Sequence, residues 1–292
     1  RRWQDEEKEF EIRYRYKKNG GLYSGYVEAI RNIDSELCVC VDSDDIIRPC
    51  YLEDLITTQQ AHPEFGHVLC GFYCVSQKRN YILNDNEVLS AVDRKDYMRL
   101  ADNILTQAPW LHLYETEIVC GNNIRMREEL SLAEDLIFNL EYLDAIENTC
   151  IGVINKANYV YCDENLASLY HRYRAELLDV NETTNAELKH YLQKWEVTDK
   201  ASWDKYFNSA FLKYADVLDN TFSEQNPMTR QEKIEYNNAV MQMEGFKEAL
   251  NKCTISFKKD MKNAYLSGDY RKVMVARKVA GLKSFIYGII KG

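Results

Sequence analysis

Residues 38–47 read Cys38-Val39-Cys40-Val41-Asp42-Ser43-Asp44-Asp45-Ile46-Ile47, an apolar run that stops at three carboxylates within four residues. Leu37 and the Cys and Val residues after it show no alternation, which is the pattern of a strand buried on both faces of a helix-covered sheet. Such a strand has no room for charge. The acids are therefore expected just past its C-terminal end, where open α/β sheets place their ligand crevice. Asp42 and Asp44 share one side of an extended chain. Hard oxygen donors in that arrangement suit Mg2+ or Mn2+ held jointly with the phosphates of a nucleotide. A second reading of the same residues is a solvated acidic turn, with Asp45 capping a helix that starts near Pro49.

Working outward, Phe10 to Tyr16 alternate between apolar and charged side chains and predict a strand, which ends at Lys17-Lys18-Asn19-Gly20-Gly21. Tyr26, Ala29, Ile30 and Ile33 fall on one helical face and lead into the 38–41 run. Beyond the acids, Tyr51 to Ile56 open a helix that His62-Pro63 should end, and Gly66 to Ser76 form a further apolar strand. This alternation of strand and helix is that of an α/β domain. Later come an aromatic segment, Ala108 to Tyr114, a helix opening at Glu134-Asp135, and a late strand, Tyr159 to Cys162. The paired acids also suit the positive end of a helix dipole. From about Ala175 the chain turns to long, charged, helix-compatible sequence with Trp195, Trp203, Tyr206, Phe207, Phe211 and Tyr214 at helical spacings. A boundary is expected there, giving segments 1–175 and 176–292, with Asn226-Pro227 as a break inside the second.

A formal net charge of -9 argues against a nucleic-acid binder, because the chain has no surplus of Lys and Arg to neutralise a phosphate backbone. The nine cysteines are scattered through apolar runs and read as reduced core residues, with the CxxxC of Cys70 and Cys74 lacking a second ligand pair for zinc. Neither a membrane-spanning run nor a signal peptide is seen, so a cytoplasmic location is the default expectation. Residues 271–291 join Arg and Lys to an apolar, aromatic face. They suit either peripheral contact with the inner face of an anionic membrane or a closing helix packed on the domain with its bases in water.

Taken together, Asn19-Gly20-Gly21-Leu22, Val41-Asp42-Ser43-Asp44-Asp45 followed by Pro49, Pro109-Trp110 with Leu113-Tyr114, and Glu134-Asp135-Leu136-Ile137-Phe138-Asn139 resemble a bacterial family 2 glycosyltransferase. The resemblance covers residues 10 to 175 and implies a Rossmann-like GT-A domain that binds a nucleotide-diphosphosugar, followed by a mainly helical C-terminal region. The family's opening apolar strand and acidic turn have no counterpart before Phe10, so the GT-A domain is expected to be N-terminally incomplete. The resemblance implies inverting transfer of a sugar to a hydroxyl, with Mn2+ or Mg2+ as cofactor. It assigns Asp42 and Asp44 to the DxD element that contacts the ribose and holds the metal, Asp44 more directly. Asp135 becomes the base that deprotonates the acceptor, Glu134 its support, Trp110 a wall of the sugar or acceptor pocket, and Asn19, Gly20 and Gly21 part of the donor site. His171 is placed near a late metal ligand of some GT-A enzymes, with a structural histidine as the other reading. Arg172 or Arg174 would suit a bidentate contact to the diphosphate.

The function implied is synthesis of a cell-surface polysaccharide or glycan, with a UDP-sugar as the expected donor and a glycan or lipid-linked acceptor. One alternative is a catalytically silent member acting in assembly of a biosynthetic complex. A nucleotidyltransferase, which also uses paired acids, would carry a Gly-rich basic N-terminal signature that this chain lacks.

Overall fold

The computed structural model describes residues 10–18, 24–102, 104–127, 133–163, 173–257 and 259–279. Two strands form the centre of its sheet, β3 (His67–Cys74) and β7 (Cys150–Tyr161), which run parallel. Every residue of β3 except Tyr73 is buried, as its unbroken apolar run requires. Around this pair lie β1 (Leu37–Cys38), β2 (Ile46–Ile47), β4 (Arg79–Tyr81), β5 (Leu89–Asp93) and β6 (His112–Glu115). The order is β1-β6-β3-β7-β2, with β4 on β3 and β5 on β7, and all pairings other than β3 with β7 are antiparallel.

Helix α1 (Ser24–Ile30) precedes β1, and α2 (Tyr51–Ala61) follows β2 and ends at His62 before Pro63, as predicted. Helices α3 (Tyr97–Ala101) and α4 (Thr116–Gly121) are short; α5 (Glu134–Ala145) is long and buries most of its residues. A mixed sheet with helices around it is the α/β architecture expected of this part. Among the described residues from Leu177 onward the elements are all helices: α6 (Leu177–Lys194), α7 (Lys200–Asn220), α8 (Arg230–Gln242), α9 (Glu244–Lys252), α10 (Lys259–Leu266) and α11, residues 270–279. Local chemistry starts two of these. The Asp199 carboxylate accepts from the Ser202 N–H at 2.7 Å at the head of α7, and Thr229 and Glu232 form a reciprocal capping box at the head of α8. Pro227 falls in the connection between them.

Phe211 and Tyr214 of α7 both meet Phe246 of α9, and Phe211 also meets Tyr265 of α10, in an aromatic core. The helices are tied to the sheet side by Arg127, which meets Glu141 of α5 at 2.6 Å and Glu187 of α6 at 3.0 Å, and by the Trp195 indole N–H donating to Asp144 at 3.0 Å.

Two expectations are corrected. Phe10 to Tyr16 do not form a strand, and Phe10, Tyr14 and Tyr16 stand in solvent. Alternation supplies two faces but not a ladder partner, and among the described residues no strand pairs with this segment. The 38–41 run is not buried on both faces either. Only Leu37 and Cys38 join the sheet, as its edge strand, and Cys38 to Cys40 are half-buried while Val41 is exposed.

Candidate active site

The acids of the 42–45 turn do lie at the end of β1, between that strand and β2, and their backbone is held by the far strand β7. The Asp42 N–H donates to the Tyr159 hydroxyl at 3.1 Å, and that hydroxyl donates to Asp45 Oδ2 at 2.8 Å. Asp45 Oδ1 accepts the Cys162 N–H at 2.8 Å. Asp45 therefore staples the turn to β7 rather than capping α2, whose N-cap, Cys50, makes no side-chain capping bond. Beneath the turn, Trp110 stacks on Tyr159 with ring centroids 4.1 Å apart and an interplanar angle of 17°. Phe72 meets the indole edge-on, and the Trp110 carbonyl accepts from the Tyr51 hydroxyl at 2.8 Å. Trp110 is only 8% exposed, so its observed contacts are those of a support for Tyr159.

Asp42 and Asp44 differ in their surroundings. Asp42 is half-buried and accepts a short hydrogen bond from the Tyr26 hydroxyl of α1 on Oδ1. Burial, that bond and the Asp42 charge push the Tyr26 phenol well above its ordinary pKa, so it stays a donor. Asp44 is exposed and makes no hydrogen bond or ion pair among the described residues.

The second pair of acids is presented by α5. Ala133, just before it, adopts a left-handed conformation at φ 67°, ψ 7°, unusual for a residue with a Cβ. Further along the helix, Asn139 accepts the Tyr114 hydroxyl at 2.6 Å and donates to the Thr106 carbonyl at 2.8 Å, and the Tyr142 hydroxyl accepts the Glu115 N–H at 3.0 Å. These bonds lock α5 to β6, which itself pairs with β1, so the first turn of α5 and the end of β1 converge. Their acids feel each other: Asp135 is pushed up to about 8, first by burial, then by the Glu134 charge, then by Asp42. Asp135 Oδ1 is buried with no hydrogen-bond partner among the described residues, and Glu134 is fully buried. The Cys40 thiol lies in the same field, raised by burial and by Cys38, Asp135 and Asp42.

Of the residues singled out in the sequence, Asp42, Asp44 and Asp45 thus share one turn, and Asp42 and Asp135 share one electrostatic neighbourhood. Asn19, Gly20, Gly21, His171 and Arg172 lie outside the described residues. Arg174 is described, and its backbone is pinned to the Asn220 side chain at the end of α7. Sequence reasoning passed over Tyr26 and Tyr159, the two hydroxyls that hold Asp42. Tyr159 carried a faint signal, as the first residue of an expected strand whose same-side neighbour, Tyr161, is also aromatic. Among the described residues no three His, Cys, Asp or Glu gather into a closed cation site. An exposed, unengaged Asp44 beside Asp42 still fits the weaker kind of site in which one or two carboxylates share an ion with substrate phosphates.

A sheet of this order with acids at a strand end and on a facing helix defines the class: a GT-A-like fold. Residues 1–119 match the family model described as "Glycosyl transferase family 2", so this part of the chain is similar to the glycosyltransferases of that family. The matched range contains Asp42, Asp44 and Trp110 and stops short of Glu134 and Asp135. Among curated proteins the chain is 27% identical over 155 residues to an uncharacterized glycosyltransferase, EpsJ, of Bacillus subtilis (strain 168), covering 51% of this chain and 44% of that protein. It therefore spans less than half the length of that relative. Its fold is similar to that of S. aureus TarS residues 1–349, solved in complex with UDP-GlcNAc, with a TM-score of 0.58 at 18% identity over 87% of this chain and 70% of the other. A TarS structure in complex with UDP superposes with a TM-score of 0.55 at the same identity, covering 87% and 69%.

Proposed function

We propose that this chain transfers a sugar, with inversion, from a nucleotide-diphosphosugar to a hydroxyl acceptor in the synthesis of a cell-surface glycan. The observation that carries the reading is the convergence of the Asp42–Asp44 turn with the buried Asp135 at the head of α5. The family 2 match and the fold shared with TarS, which binds UDP-GlcNAc, support a UDP-sugar as donor. Residues 1–175 would form the donor-binding domain and 176–292 a helical region beside it.

The chemistry divides between the two groups of acids. Asp44 and Asp42 would hold Mn2+ or Mg2+ against the donor diphosphate, where the ion offsets the charge of the leaving group; His171 is a candidate further ligand. Asn19, Gly20 and Gly21 would line the donor site. Tyr26 keeps Asp42 oriented, and Tyr159, backed by Trp110, keeps the turn at a fixed height above β7. Asp135 is the base. The acceptor oxygen attacks the anomeric carbon from the face opposite the diphosphate, its proton passes to Asp135, and the bond from that carbon to the diphosphate oxygen breaks. Burial suits Asp135 to this, because a carboxylate with a raised pKa is a stronger base than one in water. Glu134 contributes to that elevation.

If the acceptor is lipid-linked, the basic segment 271–291 would lie against an anionic membrane from the inner face; no helix among the described residues is long and apolar enough to cross one. The half-exposed 38–41 run favours, as a second reading, a silent family member acting in assembly. One experiment separates the two. UDP release from a panel of UDP-sugars is followed with Mn2+, for the wild type and Asp135→Asn. Release by the wild type that the variant lacks supports transfer, and equal background rates across the panel support the silent reading.

A further inference from the structure

Helix α11 closes the helical region with one face and leaves the other unmatched. Tyr270 stacks on Phe222 at 5.4 Å, the Tyr270 N–H donates to Asn238 at 2.7 Å, Val273 is fully buried, and Arg277 pairs with Asp219 and the Tyr265 hydroxyl. The opposite face carries Val275, 61% exposed, with Val279, Arg271, Lys272 and Lys278 in solvent. Residues 270–279 contain four bases and no acid, in a chain whose net charge is -9.

Beside this face, a cleft of about 470 Å³ opens between α11 and the head of α8. Its lining combines three cations, Arg230, Arg271 and Lys278, with the apolar Ile234, Met274 and Val275, and no acid lines it. Arg271 is held in place by donating to Gln231 at 2.9 Å, and Gln231 in turn donates to Glu235 at 2.6 Å. The nearby acids are engaged locally: Glu232 accepts the Thr229 N–H at 2.7 Å and Asp269 accepts the Arg271 N–H at 3.0 Å. A second cleft, of about 620 Å³, lies between α11 and α10 and shares Arg271 and Val275 with the first, so these two residues form a crest between two grooves. Asp260 is the acid at that second cleft.

We propose that the cleft between α8 and α11 is a docking site for the phosphate headgroup of an anionic phospholipid, with Arg230, Arg271 and Lys278 on the phosphate and Val275 entering the acyl boundary. The chemistry follows from the lining. Guanidinium groups present paired donors to phosphate oxygens, and an apolar crest beside them suits a ligand that is charged at one end only. A protein of net negative charge is repelled by an anionic surface except where a local basic patch meets it, so such a patch also fixes orientation. The inference develops the membrane part of the reading above and does not depend on the transferase chemistry.

The test is flotation of the full chain with vesicles of equimolar phosphatidylglycerol and phosphatidylcholine, and with phosphatidylcholine alone. Each cation near an anionic surface contributes about fivefold in partitioning, so Arg230→Ala with Arg271→Ala should weaken binding to the anionic vesicles about 30-fold. Val275→Asp, on the exposed crest, should weaken it by a similar factor. UDP binding should be unchanged in both, which separates failure here from failure of the donor site. Excess glycerol phosphate should leave vesicle binding intact. Three results would each overturn the proposal: no wild-type binding to anionic vesicles, equal binding by the variants, or loss of binding to glycerol phosphate, which would indicate a site for free phosphate esters.

Discussion

The Tyr159 hydroxyl and the Asp42 backbone, 117 positions apart in the chain, meet at 3.1 Å, and the same hydroxyl donates to Asp45 at 2.8 Å. One oxygen atom thus sets the height of the acidic turn above β7, and Trp110 stacked at 4.1 Å sets the tilt of the ring that carries it. Removing that oxygen leaves the Asp42 N–H and one Asp45 lone pair without a protein partner, at about 1–3 kcal/mol. Tyr159→Phe should lower thermal stability by that order and weaken UDP binding in the presence of Mn2+ about tenfold. A variant that melts earlier but binds UDP as the wild type does would reduce Tyr159 to a core residue.

Asp135→Asn keeps the shape of the side chain and removes the base. Transfer should fall about 10²–10⁴-fold, the usual contribution of a positioned base, while UDP affinity changes little. The same variant should gain stability at high pH. The folded-state pKa of Asp135 lies above its unfolded value, so the folded protein binds more protons between about pH 4 and 8 and loses stability as pH rises through that window. Above pH 8 the buried charge costs on the order of a few kcal/mol, and Asn should recover much of it. Thermal melts of the two proteins at pH 6 and pH 9 check the sign.

The pH profile of kcat/KM follows from the same group. With the base at about 8 in the free protein, the rate should climb with pH and level off near that value. Glu134→Gln takes away the largest charged neighbour and should move the limb to lower pH. A limb that stays in place would assign it to another residue.

Acid should act elsewhere, on the buried pair His67 and His112, whose Nε2 and Nδ1 lie 2.6 Å apart with the Leu105 carbonyl on the far side of His112. Burial lowers both, His112 to about 4, and keeps them neutral in the fold. Unfolded histidines take up protons below about 6.5, so stability present at pH 7 is lost as pH falls from there toward 4, by about 3 kcal/mol for His112 alone. His112→Gln should flatten the fall in melting temperature between pH 6.5 and 5; an unchanged slope would place the acid sensitivity in the carboxylates.

Arg127 spans Glu141 and Glu187 and joins α5 to α6. Arg127→Met should lower the melting temperature by a few degrees, in keeping with about 1–2 kcal/mol for a half-buried ion-pair triad. No shift would show that the apolar contacts between α5 and α6 suffice.

The elements that sequence made legible are those whose pattern is complete within one segment. The unbroken apolar run of β3, the Pro63 stop after α2 and the aromatic periodicity of α7 each carry their own signal. Phe10 to Tyr16 and Val39 to Val41 misled because strand formation and burial depend on neighbours, and alternation or hydrophobicity in one segment does not report whether a partner is beside it. The candidate site divides the same way. Asp42, Asp44 and Asp135 stand out as clustered acids at element ends, whereas Tyr26 and Tyr159 act through single hydroxyls on distant elements, and a lone tyrosine looks like any core aromatic. The reading of Asp45 as a helix cap fails for a related reason: its partners, Tyr159 and Cys162, lie more than a hundred residues away.

Calorimetric titration of UDP into the chain and into Asp44→Ala, with and without Mn2+, tests the central claim most directly. Binding that needs Mn2+ and disappears in the variant is the result predicted for a diphosphate site on the Asp42–Asp44 turn. Binding that is independent of both Mn2+ and Asp44 would contradict it.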